Sequence, residues 1–147
     1  MHTERDIIAT PAPETAPLAR LQLPGARLSA EVRRDGDLTY LWLRNPVDAA
    51  QSVLLPVSPE APPQGLSLST RLGRWHALYW AVVFGCNTAP PREVRFASAD
   101  LRFRQEAVAI PVPLGPCWIA EARGTFATAT VTPAIGTPAT VTLARQW

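Results

Sequence analysis

Proline sets the limits on what this chain can fold into. Sixteen of its 147 residues are Pro, and between them lie short runs in which apolar and polar side chains alternate. Each proline removes a backbone donor and fixes φ, so neither a long helix nor a central strand can run through it. The remaining runs have period two and are broken about every 8–12 residues, the spacing of a sandwich or barrel. We expect an all-β domain: an antiparallel β-sandwich or jelly-roll-like barrel. No segment carries a convincing amphipathic helix.

Residues 1–26 differ from the rest. Pro11, Pro13, Pro17 and Pro24 interrupt them, and little periodicity remains. The expectation is an extended Pro-rich N-terminal arm over 1–26 and a single β domain over 27–147. In residues 27–44, Leu28, Ala30 and Val32 alternate with Ser29, Glu31 and Arg33 up to Asp35-Gly36. That dipeptide suits a two-residue type I′ turn, because both positions need φ > 0. Pairing across it sets Val32 opposite Thr39, Ala30 opposite Leu41 and Leu28 opposite Leu43, one apolar face. Glu31, Arg33, Tyr40 and Trp42 share the other.

Residues 47–56 read as one helical turn or a short strand. Pro56, Pro59, Pro62 and Pro63 make a loop, and residues 66–70 a short strand. Residues 75–84 are apolar on both faces and are placed centrally. A second hairpin over 93–104 turns either at Ser98-Ala99 or through a four-residue loop, because those two residues are poor for a tight primed turn; the two-residue turn would set Val94 against Phe103 and Phe96 against Leu101. It would place Glu93 beside Arg104 and Arg95 opposite Arg102. Four further runs cover 107–112, 117–122, 125–132 and 137–145. One internal echo stands out: Glu31-Val32-Arg33 with Asp37-Leu38-x-Tyr40, and Glu93-Val94-Arg95 with Asp100-Leu101-x-Phe103.

Composition excludes more than it identifies. All 14 basic residues are Arg. The absence of Lys rules out a Walker-type phosphate loop, Schiff-base chemistry and lysine-dependent kinase sites; a GC-rich genome accounts for it without any functional cause. There is no G-x-S-x-G and no G-x-G-x-x-G. The only histidines are His2 and His76 and the only cysteines Cys86 and Cys117, which is too few at too wide a spacing for a zinc site. A triad would have to join His76 to Ser67 or Ser69 and Asp100, and no spacing selects that set. Cys86 or Cys117 beside His76 is a further combination, in apolar surroundings that blunt a thiol. Glu31, Glu93, Glu106 and Glu121 are better explained as solvent-facing ion-pair partners than as a glycosidase pair. The expectation is therefore a non-enzymatic protein without cofactor or metal.

Net charge is +2, too small to argue for nucleic acid. Arg95 and Arg102 lie near Phe96 and Phe103, but the inferred pairing turns the rings to the opposite face. Tyr40 and Trp42 share a face with Arg33, so either another part of the chain covers them or they form an interaction patch. Cys86 and Cys117 fall at strand ends and could meet across a sheet; free thiols are favoured over a disulfide. No signal peptide or membrane-spanning run is visible, so synthesis in the cytoplasm, or residence in a virion, is expected. We expect a structural subunit that assembles with copies of itself or other subunits, such as a capsid or decoration protein of a virus or phage. The alternative is an immunoglobulin-like module binding a protein or sugar.

Overall fold

The computed structural model describes residues 16–71, 77–86, 89–100 and 102–147. They contain twelve strands and no helix. The first four are β1 (Ala19–Gln22), β2 (Ser29–Asp35), β3 (Leu38–Asn45) and β4 (Asp48–Val57), an antiparallel sheet in chain order. The remainder are β5 (Gln64–Arg71), β6 (Ala77–Gly85), β7 (Glu93–Ala97), β8 (Glu106–Ala109), β9 (Val112–Leu114), β10 (Cys117–Arg123), β11 (Thr128–Thr132) and β12 (Ala139–Arg145). They form one sheet in the order β8-β7-β11-β12-β5-β6-β10-β9. Its ladders are antiparallel except β5–β12, which is parallel. The sheet is therefore not purely antiparallel, because β12 meets β5, far away in the sequence, on the edge opposite its hairpin neighbour β11.

Residues 1–15 of the expected arm lie outside the described residues, as do His2, Trp75, His76 and Leu101. Residues 19–22 pair with β2, from Ala19↔Val32 to Gln22↔Ser29. This is an edge strand, where a proline-bounded segment is tolerated. Leu23 and Ala26 are buried in the core.

The first hairpin has the expected faces in a different register. Asp35 pairs with Leu38, Val32 with Leu41 and Ala30 with Leu43, so the turn residues are Gly36-Asp37. Gly36 has φ +61, and Asp37 is not among the positive-φ residues. Positive φ at the first central position alone is the type II′ pattern. Glycine takes that conformation without steric cost and leaves Asp35 in the ladder. A slip of two residues keeps every side chain on its face, so Leu28, Ala30, Val32, Leu41 and Leu43 are all fully buried.

The second hairpin differs more. β7 pairs with β8, Val94 opposite Ala109 and Phe96 opposite Ala107. Residues 98–105 form the loop between them. Asp100 Oδ1 accepts the Arg102 backbone N–H at 2.8 Å, and Ser98 Oγ accepts that of Gln105 at 3.0 Å. Local side-chain acceptors of this kind compete with a ladder, and Phe103 ends 78% exposed. The expected Val94–Phe103 and Arg95–Arg102 pairings are not made. Residues 48–57 are a ten-residue strand rather than a helical turn; β4 is a sheet edge, so Pro56 is accommodated.

Two cores result, one on each side of the β5-β6-β10 region. Leu66, Leu68, Val82, Phe84, Leu114, Cys117 and Ile119 meet Leu28, Ala30, Val32, Leu41 and Leu43 between the sheets. Ala81, Val83, Val94, Phe96, Trp118, Ala120, Phe126, Ala129, Val131, Val141 and Leu143 fill the hollow of the larger sheet. β6 thus contributes alternate residues to two cores, which is why it is apolar on both faces. Truncating Trp118, Phe84 or Phe96 to Ala would cost about 3–5 kcal/mol. Gly85 is required by this packing, because a Cβ there would lie 2.7 Å from the Trp118 ring.

The larger sheet curls into a half-barrel. Its end strands, β8 and β9, are consecutive in the chain and separated only by Ile110-Pro111. β8 returns to within 8 Å of β10, Cα to Cα. The two sheets are also fastened by a polar clamp. Glu121 on β10 accepts the backbone N–H of Gly25 at 2.9 Å and of Ala26 at 2.8 Å, in the connection between β1 and β2.

Candidate interaction surfaces

The outer face of the four-stranded sheet collects Arg33, Tyr40 and Trp42. Cross-strand register aligns Arg20, Glu31, Trp42 and Leu54 in one row and Arg33, Tyr40 and Pro56 in the next. Glu31 is fully buried. Arg20 Nε donates to its Oε1 at 2.7 Å, and Arg33 Nη2 lies 3.6 Å from its Oε2. The Trp42 ring has the Arg44 guanidinium 4.5 Å from its centroid and that of Arg33 at 5.8 Å, within cation–π range. Its indole N–H donates to Ser52 Oγ at 2.9 Å. Tyr40 and Trp42 are half-buried and Arg33 is buried. This face binds itself together through its own charges and rings.

Arg95 and Arg102 lie apart from that face, one on a strand and the other in the loop that follows it. Arg95 is on β7, 3.4 Å from Glu93 Oε2 and 3.6 Å from Glu106 Oε1, with Val108 and Thr130 as its cross-strand neighbours. Arg102 is exposed in the 98–105 loop. The carboxylates also separate into kinds. Glu93 and Glu106 are the expected surface ion-pair partners, Glu106 also lying 3.6 Å from Arg104. Glu31 is instead enclosed, and Glu121 serves backbone donors. Asp100 is held in its loop, and His76 lies outside the described residues, so Ser67 and Ser69 have no described triad partner.

Cys86 and Cys117 are neighbours with free thiols. The register Trp118↔Gly85 brings them opposite each other one step further along. Burial first, then the charge and hydrogen bonding of Cys86, push the Cys117 thiol up to about 12. A thiol so protonated is a poor nucleophile and a poor metal ligand. Among the described residues no group of three His, Cys, Asp or Glu could hold a metal ion, and no helix is long and apolar enough to cross a membrane.

Two features do not emerge from sequence motifs. The first is an apolar strip. Val108, Ile110 and Val112 share the parity of Leu114, which is buried in the inter-sheet core. They themselves are 50%, 71% and 41% exposed. The alternation in residues 107–114 signals the row, but not that the four-stranded sheet stops short of it. The second is the contrast between the ends of the half-barrel. One end is apolar, with Pro63, Pro91, Pro133 and Trp118 around about 210 Å³. The other opens on a cavity of about 340 Å³ lined by Ser67, Leu68, Ser69, Tyr79, Thr125, Arg145 and Trp147, hydroxyls and one guanidinium set among apolar surface. No protein-family model matches this chain, and no curated protein and no solved structure is similar to it.

Proposed function

We propose that this chain is a non-enzymatic structural subunit that assembles with copies of itself, in the manner of a capsid or decoration protein. Its two sheets would form the sandwich- or jelly-roll-like body of that subunit. The observation that carries this reading is the strip Val108–Ile110–Val112. These β-branched side chains prolong the inter-sheet core into solvent, and burying what remains exposed of each would contribute about 1–2 kcal/mol. Pro111 and Pro113 deprive the same edge of donors. Association there would thus proceed by side-chain packing against a second copy rather than by ladder extension.

The test is the mass in solution, by light scattering after size exclusion, of the intact chain and of Ile110→Asp. Assembly is expected for the first and its loss for the second, with an unchanged circular dichroism spectrum. A monomeric intact chain at high concentration would overturn the reading. A deletion that probes the arm should remove only residues 1–15, because removing 1–26 also removes β1 and the buried Leu23.

A further inference from the structure

The polar mouth of the half-barrel is a built site. β5 turns Leu66 and Leu68 to the inter-sheet core, which leaves Ser67 and Ser69 on the other face. Ser69 pairs with Tyr79 across β6, and Ser67 pairs with Arg145 in the parallel register of β12. The ladder continues past β12: the Gln146 N–H donates to Ser67 O at 3.0 Å, and the Ser69 N–H to Trp147 O at 2.7 Å. Thr125 follows Gly124, whose N–H donates to Tyr79 O at 2.8 Å. The lining side chains therefore project from backbone that is fixed before any ligand arrives, which lowers the ordering cost of binding.

The chemistry of the lining is selective. Ser67, Ser69, Thr125 and Tyr79 supply four hydroxyls, each both donor and acceptor. Arg145 is the one guanidinium of the lining. Among the described residues, none of the ion pairs involves it. The Trp147 indole N–H is buried and has no acceptor. An unpaired guanidinium asks for a carboxylate or phosphate, which it grips through two parallel hydrogen bonds. A phosphate site would gather more cations or backbone donors than the single Arg present here. Several hydroxyls and the exposed ring of Tyr79 suit a polyhydroxylated ring with an apolar C–H face, while Trp147 packs against the inter-sheet core. The volume lies at the lower end of the range for small-molecule pockets, room for about one such ring.

We propose that this mouth binds an acidic sugar unit, its carboxylate on Arg145, its hydroxyls on Ser67, Ser69 and Thr125, and its ring against Tyr79. The site lies at the end of the half-barrel, on residues other than the Val108–Ile110–Val112 strip, and is independent of the assembly reading.

The experiment is calorimetric titration of the intact chain with a galacturonic acid oligomer, with the neutral galactose oligomer of equal length, and with inorganic phosphate. Binding of the acidic oligomer is expected. Arg145→Gln should weaken it at least about tenfold, the loss of one charge-assisted pair, and Tyr79→Ala should weaken it as well. Both residues are exposed, so both variants should keep the parent's melting temperature. No binding of the acidic oligomer, equal binding of the neutral one, preference for phosphate, or binding unchanged by Arg145→Gln would each overturn the proposal.

Discussion

Glu31-Val32-Arg33 on β2 and Glu93-Val94-Arg95 on β7 are the same tripeptide, each on a strand that lies next to a sheet edge. Both valines are fully buried, and both Glu–Arg pairs point to the outer face. There the likeness ends. Glu31 is fully buried between two arginines, whereas the Glu93 side chain is 29% and that of Arg95 48% exposed. The difference comes from the cross-strand neighbours. Glu31 lies between Arg20 and Trp42, whose long stem and broad ring exclude water. Arg95 lies between Val108 and Thr130, which are too short to cover it. The echo is also confined to the strand: Asp37 turns β2 directly into β3, while Asp100 sits in an eight-residue loop. Burial of a charged pair on a sheet face is set by what stands beside it, not by its own sequence.

The largest effect should come from Glu31→Ala. It removes the fully buried carboxylate that Arg20 and Arg33 share, and breaking a buried pair costs about 3–5 kcal/mol. Urea unfolding measures it, and a loss under 1 kcal/mol would place Glu31 with ordinary surface pairs. A sharper experiment swaps the neighbours. Trp42→Thr gives Glu31 the short neighbour that Arg95 has, so water should reach it and the cost of Glu31→Ala should fall. The coupling in that double-mutant cycle is expected at about 0.5–3 kcal/mol; strict additivity would refute the account by neighbours.

The inter-sheet core offers a third setting for an ionisable group. Cys117 is raised from 9.0 to about 12, so the folded state keeps a proton that the unfolded chain gives up above pH 9. Its contribution is intact below pH 9 and is lost as pH rises toward 12. The loss should be about 1 kcal/mol at pH 10, and Cys117→Ala should flatten that part of the profile. An unchanged slope would show that Cys117 is no more enclosed than an exposed thiol. The smallest effect belongs to Glu93→Ala, within about 1 kcal/mol by the same urea assay. A loss equal to that of Glu31→Ala would erase the difference between the two tripeptides.

What could be read beforehand follows the range of the interactions. The alternation of Leu28, Ala30 and Val32 with Leu41 and Leu43 displays the buried face directly. It does not display register, since Gly36 can serve either central position of a two-residue turn and both choices bury the same residues. The 93–104 hairpin misleads because Leu101 and Phe103 continue the alternation, while the Asp100 carboxylate settles the chain into a loop. The small Ala107 and Ala109, which in fact face Val94 and Phe96, carry little signal. The mouth of the half-barrel was not legible at all. Ser67, Tyr79, Thr125 and Arg145 belong to separate segments, and it takes the β5–β6 and β5–β12 pairings together to gather them.

That parallel pairing also dictates when the protein can exist. β5 has an open edge until β12 arrives, and the whole chain from Arg71 to Ala139 lies between them. A contact so distant in sequence slows folding, and an unpaired strand exposes its donors and acceptors meanwhile. On a ribosome the four-stranded sheet can form early, but the half-barrel must wait for β12. Its hydrophobic interior and its polar mouth are completed in the same step, when β12 docks against β5.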